Sequence, residues 1–324
     1  MQLNLSVIAP AVESVLTFFL IGWIGYVLAG RGWFGDEFKQ TAARLVTLVA
    51  LPFYLVHNIN SSMSKSDLGQ LAYGLLPPYI SILVMLGLGA VLVRAAGIRR
   101  LRRGIFRTGI AFSNTMYIGL PINLALFGGE SIPFVILYYF ANTSLFWSVG
   151  NHLVAADGGR EAKPILNADT ARGIFSPPML GFLAGLALLG LDLKLPSFLA
   201  NTAKYLGDIT TPLTILLTGA ILRGLGLSRI KFDRDLVLVL AGRFVASPLV
   251  MILSMILVGL LFPLPDLMRK VFIIQSSLPL MSSTTILVAY HKTDEEFATV
   301  AVSASILAAV LTIPLFMLAA SSLA

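Results

Sequence analysis

The sequence predicts an all-α polytopic membrane protein with ten transmembrane helices, and two observations support this fold class. Of its 324 residues, 57% are apolar and only 12% are charged, whereas a soluble domain carries about 25% charged residues. Uncharged apolar runs that are long enough to span a bilayer also recur along the whole chain. A soluble enzyme, a disordered scaffold and a disulfide-stapled secreted domain are therefore excluded.

The predicted helices follow these apolar runs in order. Each crossing of a ~30 Å hydrocarbon core takes about 20 residues, so ten spans use most of the chain. The N-terminal residues lack the basic region and the small-residue cleavage site of a signal peptide, so we expect the first helix to be retained. The ten runs lie at about 8–30, 39–59, 70–93, 104–127, 132–154, 173–191, 196–222, 235–262, 270–290 and 297–320.

The orientation is predicted from Lys and Arg. Seventeen of the 23 basic residues fall in the loops after odd-numbered spans, five fall after even-numbered spans, and Arg243 lies within span 8. The positive-inside rule then places the odd loops in the cytoplasm and both termini outside a cell (inner) membrane. The arginine cluster at 99–107 contributes most, and a patch for anionic lipid or substrate is its alternative role. The +7 net charge thus indicates orientation, and no nucleic-acid partner is predicted.

An internal repeat is indicated by the prolines. Pro52 and Pro212 are 160 residues apart, and Pro121 and Pro279 are 158 apart, although a third pair matches less well. A polar stretch at 156–172 separates a first five-helix repeat (1–155) from a second (173–324). Because five helices are an odd number, the two halves would have inverted topology, as in many secondary transporters.

Spans 4 and 9 each contain a helix-breaking proline among polar residues. In "SNTMYIGLPI", Pro121 cannot donate to the carbonyl of Tyr117, and Gly119 adds conformational freedom. In "QSSLPLMSSTT", Pro279 frees the carbonyl of Gln275 and hydroxyl side chains surround it.

Freed backbone groups in hydrocarbon cost several kcal/mol each unless protein or water covers them. Two such interruptions at matching positions therefore predict broken helices 4 and 9 that cross around a polar cavity. Their half-helix N-termini would offer N–H groups and partial positive charge to an anion. The alternative is that each proline only kinks a packed helix.

Several segments resemble the auxin efflux carrier family, which includes plant auxin carriers and bacterial malonate transporters. They are "SNTMYIGLPI", "IIQSSLPLMSSTTILVAYHKTDEEFATVAV", "LVALPFYLVHNI", "LGDITTPLTILLTGAIL" and "GRFVASPLVM", and the resemblance covers all ten spans. It implies a scaffold from spans 1, 2, 6 and 7 and a transport domain from spans 3–5 and 8–10. It also implies a homodimer through the scaffold and elevator-type transport of small organic acids.

The resemblance also implies site residues, of which Asn114, Pro121, Gln275 and Pro279 match the family's two crossing motifs. Ser113 and Thr284 stand where the auxin carriers have prolines, and Leu55 stands where they have a serine, which disfavours auxin itself as the substrate. The predicted substrate-binding residues are Asn114, Thr115, Tyr117, Gly119, Pro121, Asn142, Gln275, Ser276, Pro279, Ser283, Leu55 and His57.

The remaining polar residues leave alternatives open. Asn142 either bonds a neighbouring helix or contacts substrate, and His57 is either a structural histidine or a proton carrier. Arg243 could satisfy freed carbonyls or pair with an acid, and Asp208 could cap a half-helix or take up a coupling proton. Glu13 is expected to reach the outer interface. His152 and His291, near cytoplasmic ends, are expected to be solvated.

The function follows from the uncharged breaks. Neither contains a carboxylate, which disfavours a cation or proton exchanger and favours a small carboxylate as substrate. The leading hypothesis is a secondary transporter of small organic anions, driven by voltage, H⁺ or Na⁺. The alternative is a membrane-embedded sensor that binds such an acid without transporting it. With no cysteine, dispersed histidines and no catalytic motif, we predict no enzyme, metal or cofactor.

Overall fold

A computed structural model gives the structure of residues 5–65, 67–158, 171, 174–224 and 232–322. These residues form helices joined by short connections, and their one β-type pairing is an antiparallel bridge between Ser113 and Leu280. The all-α fold class is therefore as predicted. The predicted loop at 156–172 lies almost entirely outside the described residues.

The helices are numbered in chain order. They are α1 (Leu5–Gly30), α2 (Asp36–Leu45), α3 (Leu51–Ser62), α4 (Asp67–Gly74), α5 (Leu76–Ala95), α6 (Arg103–Ala111), α7 (Leu120–Phe127), α8 (Ile132–Leu145), α9 (Asn151–Asp157), α10 (Pro177–Gly190), α11 (Ser197–Asp208), α12 (Thr210–Gly224), α13 (Arg234–Ala241), α14 (Ser247–Gly259), α15 (Asp266–Ser276), α16 (Ser283–His291) and α17 (Glu295–Ser322).

Four turns of π-helix interrupt this series, at Val46–Ala50, Thr115–Gly119, Phe146–Gly150 and Gly242–Ala246. Three of them are followed two residues later by a proline, namely Pro52, Pro121 and Pro248. A proline has no N–H to donate to the preceding turn. The wider π turn changes the spacing of the backbone hydrogen bonds at the position where the proline would interrupt them.

Six helical stretches in the described residues have the length and apolar composition that a membrane crossing needs: Glu37–Ser61, Leu71–Ala95, Gly129–Asp157, Ser197–Gly224, Arg234–Gly259 and Glu295–Phe316. Three shorter apolar stretches are Phe19–Gly30, Thr115–Phe127 and Pro177–Gly190. Spans 4 and 9 fall short of this length because each is interrupted. Ten spans in two inverted repeats, at 1–155 and 173–324, stay a prediction.

The chain divides into two compact units, of which the first comprises residues 1–73, 116–136 and 175–225. Within it, α1 and α12 pack with their backbones in contact. A Cβ at Gly219 would overlap the carbonyl of Gly22, and a Cβ at Gly25 would overlap that of Leu216. Small residues permit this close approach, which brings many van der Waals contacts between the two helices.

Helix α3 is the second packing centre of the first unit. Gly181 on α10 lies against the backbone of Pro52, and Gly207 on α11 lies against Tyr54. At the end of α3, Asn60 Nδ2 donates to the carbonyl of Leu193 (2.7 Å). Lys194 Nζ donates to the carbonyl of Asn60 (2.7 Å). These bonds fix the α10–α11 connection to α3.

The second unit comprises residues 74–115, 137–174 and 226–324, and an arginine joins three of its connections. Arg102 Nη1 lies 2.7 Å from Asp233 and 3.2 Å from Asp235, and Nε lies 2.7 Å from Asp294. Its guanidinium also lies 4.4 Å from the centre of the Phe297 ring. Burial alone would lower the pKa of Arg102, but the hydrogen bonds to Asp294 and Asp233 raise it above its ordinary value.

The start of α6 is capped within the same unit. The carboxylate of Asp157 accepts the Gly104 N–H, which satisfies a free donor in the first helical turn and places negative charge at the positive helix end. A Cβ at Gly104 would meet the Leu153 carbonyl at 2.6 Å. The glycine therefore allows α9 to approach α6 closely enough for the cap.

Candidate functional site

The interruptions of spans 4 and 9 lie side by side in the second unit. Helix α6 ends at Ala111, and the chain is extended at Phe112 (φ −105°, ψ 134°). The other segment runs between the end of α15 at Ser276 and the start of α16 at Ser283. Two hydrogen bonds pair the segments in antiparallel fashion: Asn114 N–H to the Pro279 carbonyl (2.9 Å) and Met281 N–H to the Phe112 carbonyl (3.2 Å). We call this pairing the crossing.

Backbone groups left free by the breaks find partners at the crossing. The N–H of Ser277 turns back to the carbonyls of Ile273 and Ile274 (3.2 and 3.1 Å). The N–H of Leu280 donates to the hydroxyl of Ser305 (3.1 Å), which is fully buried on α17. Protein groups thus supply the partners that freed backbone requires when it is removed from water.

The side-chain amide of Asn142 makes hydrogen bonds to the Ser113 backbone at the crossing, as the backbone of a neighbouring strand would. Its Oδ1 accepts the N–H of Ser113 (2.9 Å), and its Nδ2 donates to the Ser113 carbonyl (3.0 Å) and to the sulfur of Met281 (3.6 Å). The side chain is 0% exposed, and both of its N–H donors have partners. Of the two roles left open for Asn142, this arrangement favours the hydrogen bond to a neighbouring helix.

Arg243 lies fully buried beside the crossing. Its Nη1 donates to the Ile110 carbonyl (3.2 Å). Its Nη2 donates to the hydroxyl of Ser113 (2.7 Å) and to the carbonyl of Ser276. No ion pair joins it to a carboxylate among the described residues. Of its two predicted roles, the structure shows the satisfaction of freed carbonyls.

Uncharged polar side chains surround the paired segments. Asn114 Nδ2 donates to the Ser282 hydroxyl (2.8 Å), which links the two interrupted helices through side chains as well as backbone. Asn114 is 4% exposed and Thr115 is 2% exposed, while Ser283 is half-buried at the start of α16. The site thus offers amides, hydroxyls and backbone groups.

Gln275 is the most incompletely bonded residue of this region. It is 0% exposed, and neither Oε1 nor Nε2 has a hydrogen-bond partner in the described residues. The hydroxyl of its neighbour Ser276 instead bonds to the Ile273 carbonyl (2.9 Å). A buried amide without partners costs about 1–3 kcal/mol, so Gln275 is suited to receive a polar group from water or a ligand.

The second unit therefore brings together Asn114, Thr115, Asn142, Gln275, Ser276, Pro279 and Ser283 from the predicted set. The other five predicted residues, Leu55, His57, Tyr117, Gly119 and Pro121, belong to the first unit.

Within the first unit, Tyr117 and its neighbours take part in helix packing. The Tyr117 hydroxyl lies 3.2 Å from Thr47 Oγ1, and Thr218 Oγ1 donates to the Tyr117 carbonyl (3.4 Å). That carbonyl is the one freed by Pro121. Leu55 is fully buried and His57 is half-buried.

The remaining ionisable residues have different surroundings. The side chain of Asp208 is 54% exposed and pairs with Lys204 one turn earlier (2.9 Å). This contact is an ion pair within α11 and not a helix cap. The side chain of Glu13 lies outside what the structure describes. The expectation that His291 is solvated is wrong, because it is 7% exposed. Packing of α16 against α9 buries it, and its Nε2 lies 2.7 Å from Asn151 Oδ1.

Sequence reasoning missed two supporting residues. Ser305 holds the Leu280 N–H, and the Tyr138 hydroxyl lies 3.2 Å from Ser113 Oγ. A serine or tyrosine in an apolar helix carries no signal of a distant partner. Ser113 was not among the predicted substrate-binding residues, although its backbone bonds to Asn142 and its hydroxyl accepts from Arg243.

These features define a multi-pass helical membrane protein with two interrupted helices paired at a polar crossing, which is an arrangement found in secondary transporters. A family model described as "Membrane transport protein" matches residues 10–317. The chain therefore belongs to this family, and the resemblance to the auxin efflux carriers is confirmed. It is a transport protein and not an enzyme.

Curated relatives agree with this family. The chain is 29% identical over 246 residues to an uncharacterized transporter of Methanothermobacter thermautotrophicus, covering 73% of this chain and 76% of that protein. It is 23% identical over 291 residues to an uncharacterized transporter of Methanocaldococcus jannaschii, covering 87% and 90%. It is 26% identical over 262 residues to a protein of Rhizobium meliloti named "Putative malonate transporter", covering 77% and 78%.

Proposed function

We propose that the protein is a secondary transporter of small organic anions, chiefly short carboxylates, in the cell membrane. The observation that carries this proposal is the composition of the crossing. It holds a fully buried guanidinium, Arg243, together with amides and hydroxyls, and no carboxylate pairs with that cation in the described residues. A cationic substrate would find no acidic partner at the crossing among the described residues.

Asn114 and the start of α16 supply hydrogen-bond donors for an anion. One N–H of the Asn114 amide is used by Ser282, and the other is available to a carboxylate oxygen. Helix α16 begins at Ser283, and its first turn is positively polarised, although the N–H groups of Thr284 and Thr285 already donate to the carbonyls of Met281 and Ser282. Ser282 and Ser283 add hydroxyl donors there. This donor set suits a carboxylate better than a metal ion or an amine.

The relative named as a malonate transporter supports short dicarboxylates as the first substrates to test. Auxin is disfavoured by Ser113, where the auxin carriers have a proline. The Ser113 N–H donates to Asn142, and a proline could not make this bond. The hydrogen bonds of this crossing therefore differ from those that a proline permits.

We further propose alternating access of the elevator type, with the unit that contains the crossing carrying the substrate. The division of the chain into two compact units, one of which contains the paired segments of the crossing together with both halves of span 9, supports this mechanism. The family resemblance also favours a homodimer and a scaffold from spans 1, 2, 6 and 7. The distribution of Lys and Arg favours termini outside the cell. The coupling ion, H⁺ or Na⁺, is a separate question.

Reconstitution into liposomes tests the substrate class. Purified protein is screened for uptake of malonate, short monocarboxylates and aromatic acids under imposed voltage, H⁺ and Na⁺ gradients. We expect uptake of short dicarboxylates. Binding without uptake under every gradient would favour the sensor, and uptake of cations alone would contradict the proposal.

Asn114→Ala then tests the site. We expect it to abolish uptake while the protein remains folded, because it removes the amide donors and the link to Ser282. The matched control is Asn58→Ala in the first unit, where the Asn58 amide donates to the Tyr54 carbonyl of its own helix (3.2 Å). Near-normal uptake by Asn114→Ala would mean that the substrate binds elsewhere.

A further inference from the structure

The ends of two helices meet at Arg243, and both end there with a free carbonyl. In a continuous helix, the Ile110 carbonyl would accept the N–H of Asn114, but that N–H donates to Pro279. The Ser276 carbonyl would likewise accept the N–H of Leu280, which donates to Ser305 instead. Arg243 donates to both freed carbonyls, so one guanidinium closes the C-terminal ends of α6 and α15.

The charges at this point balance without a carboxylate. Each helix C-terminus carries roughly half a negative elementary charge, so two converging ends present roughly one negative charge to a buried group. A guanidinium supplies one positive charge and does not lose its proton in proteins. The helix ends, rather than an acidic residue, are therefore the counter-charge of Arg243.

The oxygens around Arg243 are also those that a monovalent metal ion prefers. They are the Ile110 and Ser276 carbonyls and the Ser113 hydroxyl, and none of them is a carboxylate. In transporters with broken helices, unwound carbonyls and half-helix C-termini commonly coordinate the coupling Na⁺. Because Arg243 is 0% exposed and already bonds to these oxygens, a second cation there would face both steric exclusion and charge repulsion.

We propose that the Arg243 guanidinium is a resident cation of the crossing, which occupies the position of a coupling Na⁺ and makes metal-ion binding there unnecessary. Arg243 is thus a positioning residue that keeps the two helix ends together. This inference deepens the proposed function, because it removes Na⁺ at the crossing from the possible coupling ions. It depends on the carrier having this crossing, but not on the identity of its substrate.

Melting temperatures of the purified full-length protein, measured without substrate, test the proposal. The protein is compared in NaCl, KCl, choline chloride and dilute guanidinium chloride at equal ionic strength. Wild type should melt at the same temperature in the first three salts. A stabilisation of wild type by Na⁺ that K⁺ and choline do not reproduce would overturn the proposal, whatever the variants do.

The variants test whether the positive charge matters. Arg243→Ala should melt roughly 5 °C or more below wild type in choline chloride and should recover part of this loss in Na⁺ or guanidinium. Arg243→Lys, which keeps the charge, should show no response to cations. If Arg243→Ala cannot be purified, Arg243→Met serves as the uncharged variant of similar length. The matched control is Arg269→Ala on α15, where the arginine side chain is 50% exposed.

The outcomes separate this proposal from the proposed function. Equal destabilisation of Arg243→Ala in all salts, with no rescue by guanidinium, would contradict a resident cation even if carboxylate uptake is observed. Rescue by a cation would support it even if no carboxylate in the screen is transported.

Discussion

The amide of Asn142 is the clearest case of a side chain that replaces backbone hydrogen bonds at the crossing. It makes two hydrogen bonds to the single residue Ser113, and it is fully buried. Asn142→Leu keeps the branched shape and the number of side-chain heavy atoms, so it creates no cavity. It leaves the N–H and carbonyl of Ser113 without these partners. At about 1–3 kcal/mol for each unsatisfied buried group, the expected loss of unfolding free energy is about 2–6 kcal/mol.

This estimate differs from the expectation for an ordinary hydrogen bond in a membrane protein. Interhelical side-chain bonds there average only about 0.6 kcal/mol, since the unfolded state in the membrane also finds partners. Asn142→Asp should fall between wild type and the leucine variant. A buried aspartic acid stays protonated, so one oxygen can still accept from Ser113 and the other can donate.

Equilibrium unfolding in mixed micelles is the assay, with malonate uptake measured in parallel. Asn58→Leu is the control, because the amide of this half-buried residue donates within its own helix (3.2 Å). This variant should lose less than about 1 kcal/mol of unfolding free energy. A loss for Asn142→Leu that does not exceed about 0.6 kcal/mol, or that equals the control, would refute the view that Asn142 supports the crossing.

Three further predictions concern packing, topology and pH. Gly219→Ala should destabilise the protein by about 1–3 kcal/mol, because its Cβ would overlap the Gly22 carbonyl, whereas Gly259→Ala, which meets nothing within 4 Å, should be nearly neutral in thermal melting. Leu101→Cys, at a position that is 48% exposed in wild type, should be labelled by impermeant maleimide only from the cytoplasm of this Cys-free chain, and labelling from outside would reverse the topology. Desolvation alone would raise the pKa of Asp233, but bonds from the Leu236 N–H and Arg102 lower it below 3.8. Its stabilising effect is therefore present above pH 3.8 and lost as the pH falls below that value. The melting temperature of Asp233→Asn should fall less with decreasing pH than that of wild type. An unchanged dependence of the melting temperature on pH would contradict this role.

Much of the fold could be predicted because membrane helices obey local rules. A bilayer requires about 20 apolar residues in each span, and prolines mark where a helix cannot continue. Pro279 and its polar neighbours thus located an interruption correctly. Pro121 did so less directly: the break in span 4 lies at Phe112 to Asn114, several residues before the proline, and a π turn at Thr115–Gly119 leads into α7.

The sequence predicted which residue types form the candidate site, but it did not predict their contacts. Asn114 and Gln275 were named, yet nothing in the sequence shows that Asn114 bonds Ser282, 168 residues away, while both amide atoms of Gln275 lack partners in the described residues. His291 was misplaced because solvation was assumed from its position near a helix end. Burial there depends on packing against Asn151, which is 140 residues distant.

The sequence by itself determined that this protein lies in a membrane, that it is helical and that its two helix breaks contain no charged residue. These properties depend on composition and on short-range backbone chemistry. Only the tertiary structure decided which group satisfies each freed backbone atom. Arg243 was an isolated charge in an apolar span. It became the common partner of two helix ends once α6, α15 and the π turn at Gly242–Ala246 were folded together. The reason is physical: a charge removed from water is stable only where folding brings oppositely polarised groups to it.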